Sequence, residues 1–326
     1  MRKLSVSIEY FPLAAPFAIS RGAKLEAAVV VAKISDEGVT GRGECVPYAR
    51  YRESPASVIG AIEQVRPAIE QGANREQLQI LTPAGAARNA MDCALWDFEA
   101  KRLGIRAYEI AGLHRLAPAT TAFTISVNSP EIMAAAATAA RDRPVLKIKL
   151  AGDGDEERLA AVREAAPHAE LIVDANEGWR EDQLETLLQA CVKTGVVLIE
   201  QPLPAGRDAA LADIRHPIPI CADESVHDRT GLSALRDRYD AINIKLDKTG
   251  GLTEALALAR AAQAEGFAIM IGSMVGSSLG AAPAMLLSPF AQWIDLDGPL
   301  WLKRDREPAL RFDGSTIYPP EPGLWG

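Results

Sequence analysis

The stretch PVLKIKLAGDGDEERLAAVREAAPHAELIVDA, residues 144–175, contains one complete repeat of the fold. Two short apolar runs, PVLKIKL and ELIVDA, flank a polar segment that has the length and apolar spacing of an amphipathic helix. Such runs are typical of buried strands, and a helix-sized connection between them predicts that the two strands lie parallel. The stretch therefore predicts a strand, a helix and a second strand.

The same alternation extends from about Thr120 to the C-terminal region. The eight apolar runs are TAFTISV (121–127), PVLKIKL (144–150), ELIVDA (170–175), GVVLIE (195–200), PIPICADE (217–224), YDAINIKL (239–246), FAIMIG (267–272) and FAQWIDLD (290–297). Eight strands with seven intervening helices predict an α/β fold, a parallel (β/α)₈ barrel of the TIM type. The first third differs: strand-like LEAAVVVAKI (25–34) and helix-like PAGAARNAMDCALWDFEAKRLG (83–104) predict a separate α+β unit.

The composition is ordinary for a globular protein of 326 residues, with 48% apolar and 24% charged residues. Acidic residues exceed basic ones by 43 to 35, and no dense basic run occurs, so we expect no nucleic-acid partner. The four cysteines are scattered without a C-x-x-C pair. This argues against a disulfide scaffold or zinc ribbon and favours free thiols in a cytoplasmic protein.

One uncharged segment, residues 267–294, is long enough to span a bilayer. Glycines, serines and prolines interrupt it repeatedly, which favours a strand, a loop, a helix and a strand in a buried core. We therefore expect no membrane segment and no membrane partner.

Charged residues lie at the ends of the predicted barrel strands. Lys147 and Lys149 lie in the second strand, Asp174 ends the third, Glu200 the fourth, Asp223 and Glu224 the fifth, Lys245 the sixth, and Asp295 and Asp297 the eighth. From Lys149 to Lys245 the intervals between successive strands are 22 to 26 residues, one strand-helix unit each. Because the C-terminal strand ends of such barrels form the active site, we expect these groups to meet at one mouth.

Three of these residues, Asp174, Glu200 and Asp223, bring carboxylates from adjacent strands. Clustered carboxylates repel one another unless a cation is present, and an all-oxygen set suits Mg²⁺ better than zinc. A single carboxylate of this kind is more often a helix cap or a surface ion pair. Three in register predict a metal site with one Mg²⁺ per subunit.

Two lysines, Lys149 and Lys245, belong to the second and sixth strands and should face each other across the barrel. A lysine of ordinary pKa, about 10.4, is a poor base at neutral pH, so a neighbouring cation such as Lys147 or the metal must lower it. Opposed lysines beside a Lewis acid can remove a proton next to a carboxylate on one face and return one on the other. We expect them to be the catalytic acid and base.

Five motifs show a resemblance to a known family: KIK at 147–149, VDAN ending at Asn176, EQP from Glu200, ADES around Asp223 and NIK ending at Lys245. They are similar to the motifs of the enolase superfamily, in its muconate lactonizing enzyme subgroup, a standard example of a lysine base acting with Mg²⁺ on an ene-diolate. The resemblance implies an N-terminal α+β capping domain at residues 1–116, the barrel at 117–310 and a C-terminal tail at 311–326 that returns to the cap.

Within that subgroup, IDLDGPLW (294–301) resembles the Asp-x-Asp motif of dipeptide epimerases, and NIKLDKTGGLTEALALA (243–259) is very similar to the bacterial L-Ala-D/L-Glu epimerases. Two carboxylates on the far side of the pocket from the metal suit the α-ammonium group of a dipeptide. Asp295 and Asp297 are therefore expected to bind that group.

The resemblance implies a Mg²⁺-dependent epimerase that inverts the α carbon of the C-terminal residue of a dipeptide, such as L-Ala-L-Glu or L-Ala-D-Glu, through an enediolate, in murein peptide recycling. A homo-oligomer is compatible with this. Lys147 joins the expected substrate-binding residues, and Glu224 and Asn176 are expected to support the catalytic lysine and the metal ligands. In the loop PFAISRGAK (16–24), Arg21 is the first candidate for binding an acidic substrate side chain, because its planar fork grips a carboxylate bidentately, and Lys24 is the second.

Two alternatives stay open at this point. An o-succinylbenzoate synthase or N-succinylamino-acid racemase would keep the lysines and the metal but has no use for an ammonium receptor, so Asp295 and Asp297 argue against both. A catalytically silent binding protein of this fold would be expected to lack a metal ligand or a base, and none is missing.

Overall fold

Eight parallel strands surround the centre of the larger part of the molecule in the computed structural model, which describes residues 1–326. In barrel order they are β5 (Phe123–Ile125), β6 (Val145–Lys149), β7 (Glu170–Asp174), β8 (Val196–Glu200), β9 (Ile220–Ala222), β10 (Ala241–Lys245), β11 (Ala268–Gly272) and β12 (Trp293–Asp295). The first and last strands meet where the Ala122 N–H donates to the Ile294 carbonyl at 2.7 Å. The predicted TIM-type barrel is confirmed.

Side chains alternate along each strand, so every second residue points into the barrel. Ile172, Leu198, Cys221, Ala241 and Met270 form a small, fully buried apolar cluster of their own. The opposite faces of the strands join a much larger cluster with the surrounding helices. The small cluster is the apolar floor beneath the next inward residues of the same strands.

The connections between strands differ in part from the predicted seven helices. The α-helices of the barrel are α5 (Pro130–Ala139), α6 (Asp155–Ala165), α7 (Leu184–Lys193), α8 (Leu246–Thr249), α9 (Leu252–Ala264) and α10 (Ser278–Ala284). Between β8 and β9, and between β9 and β10, the chain forms only short 3₁₀ turns, at Ala209–Asp213 and Leu232–Leu235. The first of these connections contains four prolines, two after β8 and two before β9, which remove backbone donors and restrict any helix to the residues between them.

The N-terminal part is the predicted α+β cap. Its antiparallel sheet has the order β1 (Lys3–Ile19), β2 (Gly22–Asp36) and β3 (Val39–Cys45), and its helices are α1 (Pro55–Glu70), α2 (Arg75–Leu81), α3 (Ala86–Leu103) and α4 (Ala107–Ile110). Helix α3 is buried along most of its length, between the sheet and the barrel. The β1–β2 hairpin is long enough for its tip to reach the barrel mouth, where the Val127 N–H donates to the Ala18 carbonyl.

The C-terminal segment contacts both parts of the molecule. Strands β13 (Phe312–Asp313) and β14 (Thr316–Ile317) form a small sheet with β4 (Ala119–Thr120), next to the barrel. Farther on, the buried Trp325 donates from Nε1 to the Cys93 carbonyl in α3, at 3.0 Å. The predicted domain boundaries at residues 116 and 310 stay a prediction. None of the helices combines the length and apolar character that crossing a bilayer requires.

Glycines in β3 allow the cap sheet to lie directly on α3. A Cβ at Gly43 would stand 2.1 Å from the Ala90 carbonyl oxygen, whereas a Cβ at Gly60, on the exposed side of α1, would meet nothing within 4 Å. We expect Gly43→Ala to lower the free energy of unfolding by about 1 to 3 kcal/mol or more through overpacking. Gly60→Ala should raise it by about 0.5 to 1 kcal/mol, because alanine favours a helix interior. Urea unfolding measures both, and equal effects would contradict the close packing.

Candidate active site

A cavity of about 450 Å³ opens at the carboxyl ends of the barrel strands, against the hairpin tip of the cap. Ten of the twelve site residues predicted from the sequence line it: Arg21, Lys24, Lys147, Lys149, Asn176, Asp223, Glu224, Lys245, Asp295 and Asp297. The other two, Asp174 and Glu200, are fully buried and pair with lysines that line the cavity. The structure therefore brings all twelve to one mouth.

Strand periodicity explains how these side chains reach the cavity. Asp174 and Glu200 lie two residues beyond Ile172 and Leu198 of the apolar floor, so both point into the barrel just after it. The parallel register also pairs Asp174 with Glu200 and with Lys149 across neighbouring strands. The charged groups therefore form a polar layer directly on an apolar one.

Lys147 connects the two sides of this layer. Its Nζ lies 2.6 Å from Glu200 Oε2, 3.2 Å from Asp174 Oδ2 and 2.7 Å from Asp295 Oδ2. Only 1% of its side chain is exposed to solvent, so the ammonium group interacts with these three carboxylates in place of water. Burial alone would lower the pKa of Lys147, but the charges of Asp295, Glu200 and Asp174 outweigh it and hold that pKa well above its ordinary value.

Lys149 and Lys245 approach from strands β6 and β10, four strands apart. The Lys149 Nζ lies 2.6 Å from Asp174 Oδ2, while the Lys245 Nζ lies 2.5 Å from Asp223 Oδ2 and 3.6 Å from Glu200 Oε1. Both lysines also line the cavity. Each is therefore placed between a buried carboxylate and the space where a substrate would lie.

The carboxylates respond to burial and to the lysines. Burial opposes ionisation of Asp174 and Asp223, but the neighbouring lysines outweigh it and lower the pKa of both. Burial raises the pKa of Glu200, and the charge of Asp174 adds to this. Burial by itself would lower the pKa of Lys245, yet Asp223 and Glu200 raise it well above its usual value. Lys147 and Lys245 therefore stabilise Asp174 and Asp223 as ions, and are stabilised by carboxylates in return, whereas ionisation of Glu200 is disfavoured.

The residues present fit a divalent cation in chemistry. In this structure no three or more acidic, histidine or cysteine side chains are arranged around a common metal position, and the candidate carboxylates are paired with lysines. However, oxygens of Asp174 and Glu200 already share Lys147, and oxygens of Glu200 and Asp223 share Lys245. Three buried, all-oxygen donors from adjacent strands, gathered about positive charge, are the kind of ligand set that Mg²⁺ takes in proteins.

The Asp-x-Asp pair of the eighth strand lies on the same cavity. Asp295 accepts from Lys147 through Oδ2, while its buried Oδ1 has no hydrogen-bond partner. Asp297 Oδ2 accepts from the Thr124 backbone N–H at 2.7 Å and from Trp301 Nε1 at 3.2 Å. Burial and the charge of Asp295 raise the pKa of Asp297 to about 6. The pair therefore presents negative charge that its protein neighbours neutralise only in part.

Arg21, at the hairpin tip, is already held by the protein. Its guanidinium donates to Glu224 Oε1 at 2.7 Å and to the Tyr48 hydroxyl at 2.8 Å. It also donates to the Asn176 carbonyl at 2.7 Å and to Glu177 at 3.1 Å. Glu224 thus pairs with Arg21, whereas no ion pair joins it to Lys245 in this structure.

Lys24 has a different environment from Arg21. No carboxylate lies within ion-pair distance, and its ammonium stands 5.2 Å from the centre of the Tyr48 ring. The residue as a whole is exposed, yet enough protein surrounds the ammonium for burial to lower its pKa. It is therefore a cation on the cavity wall whose charge no protein group neutralises.

Asn176 supports Asp174 through the backbone, because its N–H donates to Asp174 Oδ1 at 2.9 Å. Asn176 and Glu177 both have left-handed φ angles, of 45° and 66°. Their turn directs the Asn176 carbonyl and the Glu177 carboxylate to the cap, where Glu177 receives two hydrogen bonds of 2.7 Å from Arg50. The sequence reasoning missed Tyr48, Arg50 and Glu177, and the position of Glu177 directly after VDAN was the only signal for them.

Comparisons with known families agree with this architecture. Residues 132–324 match the family described as "Enolase C-terminal domain-like". Residues 1–112 match "Mandelate racemase / muconate lactonizing enzyme, N-terminal domain". The two matches cover the cap and all of the barrel except its first strand, β5.

Two curated proteins are similar over most of their length. L-Ala-D/L-Glu epimerase of Escherichia coli is 49% identical over 320 residues, which are 98% of this chain and all of that protein. N-acetyl-D-glutamate racemase of a Pseudoalteromonas species is 43% identical over 300 residues, 91% of this chain and 95% of the relative. Both are isomerases of amino acid derivatives.

Two solved structures extend the comparison. An enolase family member from Agrobacterium tumefaciens with homology to dipeptide epimerases, bound to sodium and L-Ala-L-Glu, superimposes with a TM-score of 0.99 at 52% identity, over 100% of both chains. A dipeptide epimerase from Methylococcus capsulatus, complexed with Mg and L-Arg-D-Lys, has a TM-score of 0.90 at 31% identity, over 99% of this chain and 98% of that one.

Proposed function

The chain belongs to the mandelate racemase/muconate lactonizing enzyme family of the enolase superfamily, and from this we propose that it is a Mg²⁺-dependent dipeptide epimerase of the L-Ala-D/L-Glu type. The enzyme is an isomerase that acts on amino acid derivatives. One observation carries the proposal: two lysines from opposite strands and an Asp-x-Asp pair line one cavity, beside three buried carboxylates.

The chain's own residues account for the steps of the reaction. Lys149 and Lys245 stand on opposite strands, so one takes the α proton of the C-terminal residue and the other returns a proton to the opposite face. Removing that proton makes the substrate carboxylate an enediolate. Mg²⁺ held by Asp174, Glu200 and Asp223 would supply the positive charge for this group and relieve the lysines of their carboxylate partners.

The remaining polar groups hold the dipeptide. We propose that Asp295 and Asp297 receive its ammonium group, with Lys147 fixing Asp295 from behind. An N-acylated substrate has no such charge, so the N-succinylamino-acid racemase alternative predicts no need for this pair. We further propose that the enzyme acts in murein peptide recycling in the cytoplasm, on L-Ala-L-Glu and L-Ala-D-Glu.

Hydrogen exchange in D₂O with Mg²⁺ tests the two-lysine mechanism. Lys149→Ala and Lys245→Ala should each reduce interconversion of L-Ala-L-Glu and L-Ala-D-Glu by about 10²- to 10⁴-fold, because each direction needs both lysines. The lysine that remains should still exchange the α hydrogen of one epimer, and the two variants should exchange opposite epimers. Mass spectrometry reads the exchange and chiral chromatography the inversion.

Two controls accompany this experiment. Lys193→Ala, on an exposed helix end, should behave as the wild type, and chelation should stop all exchange until Mg²⁺ is restored. A lysine variant that interconverts both epimers at the wild-type rate would rule out the two-base mechanism. Full activity after exhaustive chelation would show that the reaction does not require the metal.

Asp297 tests the ammonium receptor. Asp297→Asn should cost about 2 to 5 kcal/mol in transition-state binding of L-Ala-L-Glu, since it removes one of the two carboxylates that would face a buried ammonium. N-acetylation of the substrate should do similar harm, and the two losses should not add. Because the pKa of Asp297 is about 6, the wild-type kcat/KM should fall as the pH drops through that value, and the variant should lose this limb. A preference for N-acetylated substrates would favour the racemase alternative instead.

Two variants decide whether Arg21 or Lys24 binds the acidic side chain of the substrate. Since Arg21 is held by Glu224 and Lys24 is unpaired, we expect Lys24→Met to cost about 1.5 to 3 kcal/mol in kcat/KM with L-Ala-L-Glu and little with L-Ala-L-Leu. Arg21→Met should impair both dipeptides, because it detaches the hairpin tip from Asn176. The opposite pattern would return the side-chain role to Arg21.

A further inference from the structure

A fourth buried lysine, Lys248, stands behind the metal-ligand candidate Asp223. It belongs to α8, the single helical turn directly after β10, and only 1% of its side chain is exposed. It does not line the cavity, so it is placed to act on its protein neighbours and not on a substrate.

The ammonium of Lys248 donates hydrogen bonds to three oxygens of the protein. It donates to Asp223 Oδ1 at 2.5 Å, to the Asp223 carbonyl at 2.6 Å and to the Asn243 carbonyl at 2.8 Å. An ammonium has three N–H donors, so none is left for another partner. Lys248 therefore holds both the backbone and the side chain of Asp223.

The two oxygens of Asp223 consequently face different cations. Oδ1 is bound by Lys248, and Oδ2 lies 2.5 Å from the Lys245 Nζ, which is also 3.6 Å from Glu200 Oε1. Only Oδ2 is thus directed to the space that Asp223 shares with the other carboxylates. As long as Lys248 stays in place, Asp223 has one oxygen to offer a metal.

The turn that carries Lys248 is fixed by the cap. Arg88 of α3 donates to the carbonyls of Thr249 at 2.7 Å and Gly250 at 3.1 Å. Gly250 has a φ of 73°, and a Cβ there would stand 2.4 Å from Arg88 Nε. Asn89 adds a hydrogen bond of 2.8 Å to Asp247. The backbone that carries Lys248 therefore cannot move away from Asp223 without disturbing the contact between cap and barrel.

We propose that Lys248 is a positioning residue that restricts Asp223 to binding through a single oxygen and thereby favours Mg²⁺ over larger cations. Mg²⁺ requires near-octahedral geometry with short bonds and takes few protein carboxylates, whereas Ca²⁺ accepts bidentate carboxylates and more ligands. This inference rests on the proposed function, because it assumes that Asp174, Glu200 and Asp223 bind the metal.

The ratio of the Mg²⁺ and Ca²⁺ dissociation constants tests the proposal by calorimetry, without substrate. Lys248→Met removes the cation at nearly constant volume, which frees Oδ1 and adds uncompensated negative charge. The charge acts on both divalent ions alike and largely cancels in the ratio, so the ratio reports geometry. We expect this ratio to change in favour of Ca²⁺ binding by about tenfold or more, which is the usual effect of losing a group that orients a metal ligand.

Two further variants refine this test. Lys248→Gln keeps a neutral donor for Oδ1, so it should retain most of the Mg²⁺ preference although the charge is lost. Lys193→Met makes the same change as Lys248→Met on an exposed helix end and should leave the ratio unchanged. A ratio in Lys248→Met within twofold of the wild type would overturn the proposal.

If Lys248→Met does not fold, a crystal structure of the Ca²⁺-loaded wild type tests the proposal without a variant. Asp223 is expected to bind through Oδ2 alone, with Oδ1 still on Lys248, and a bidentate Asp223 would overturn the proposal. The proposed function fails separately, if the wild type binds no Mg²⁺ or does not epimerise dipeptides.

Discussion

The structure depends on one constraint, the burial of carboxylates and ammonium groups inside an apolar barrel. An isolated buried charge is costly, and a buried ion pair is often no more stable than apolar residues of the same size. Here Asp174, Glu200 and Asp223 are 0 to 2% exposed, and each has a lysine within 2.6 Å. Stability alone does not call for such a layer. The chemistry proposed for the lysines and a metal accounts for its presence.

The cap contributes as much to this layer as the barrel does. The hairpin tip is held over the mouth by Arg21, and Arg50 grips Glu177 from a second cap loop. From the opposite direction, α3 fixes the turn after β10 through Arg88. The cap therefore both covers the cavity and orients groups beneath it, so that cavity shape and ligand geometry depend on the same interface.

Lys147 divides the cavity into two regions of different chemistry. On one side it neutralises Asp174 and Glu200, where a substrate carboxylate and a metal would meet. On the other it binds Asp295 Oδ2 and leaves Oδ1 without a partner. A dipeptide carries a carboxylate at one end and an ammonium at the other, and these two regions match its two charges.

Period and spacing in the sequence were enough to predict the strands, the barrel and the residues at its mouth, because strand alternation and a repeat of 22 to 26 residues are local properties of the chain. They could not show which groups pair. That Glu224 binds Arg21 and that Glu177 binds Arg50 depends on how the cap meets the barrel, across 203 and 127 residues. That Lys248 binds Asp223 depends on how the turn after β10 lies against the end of β9. The two 3₁₀ connections were missed because seven crossovers of similar length were read alike, although four prolines marked the first. The sequence by itself determined which chemical groups reach the site. Only the tertiary structure decided which of their charges are already neutralised, since that depends on distances between residues far apart in the chain.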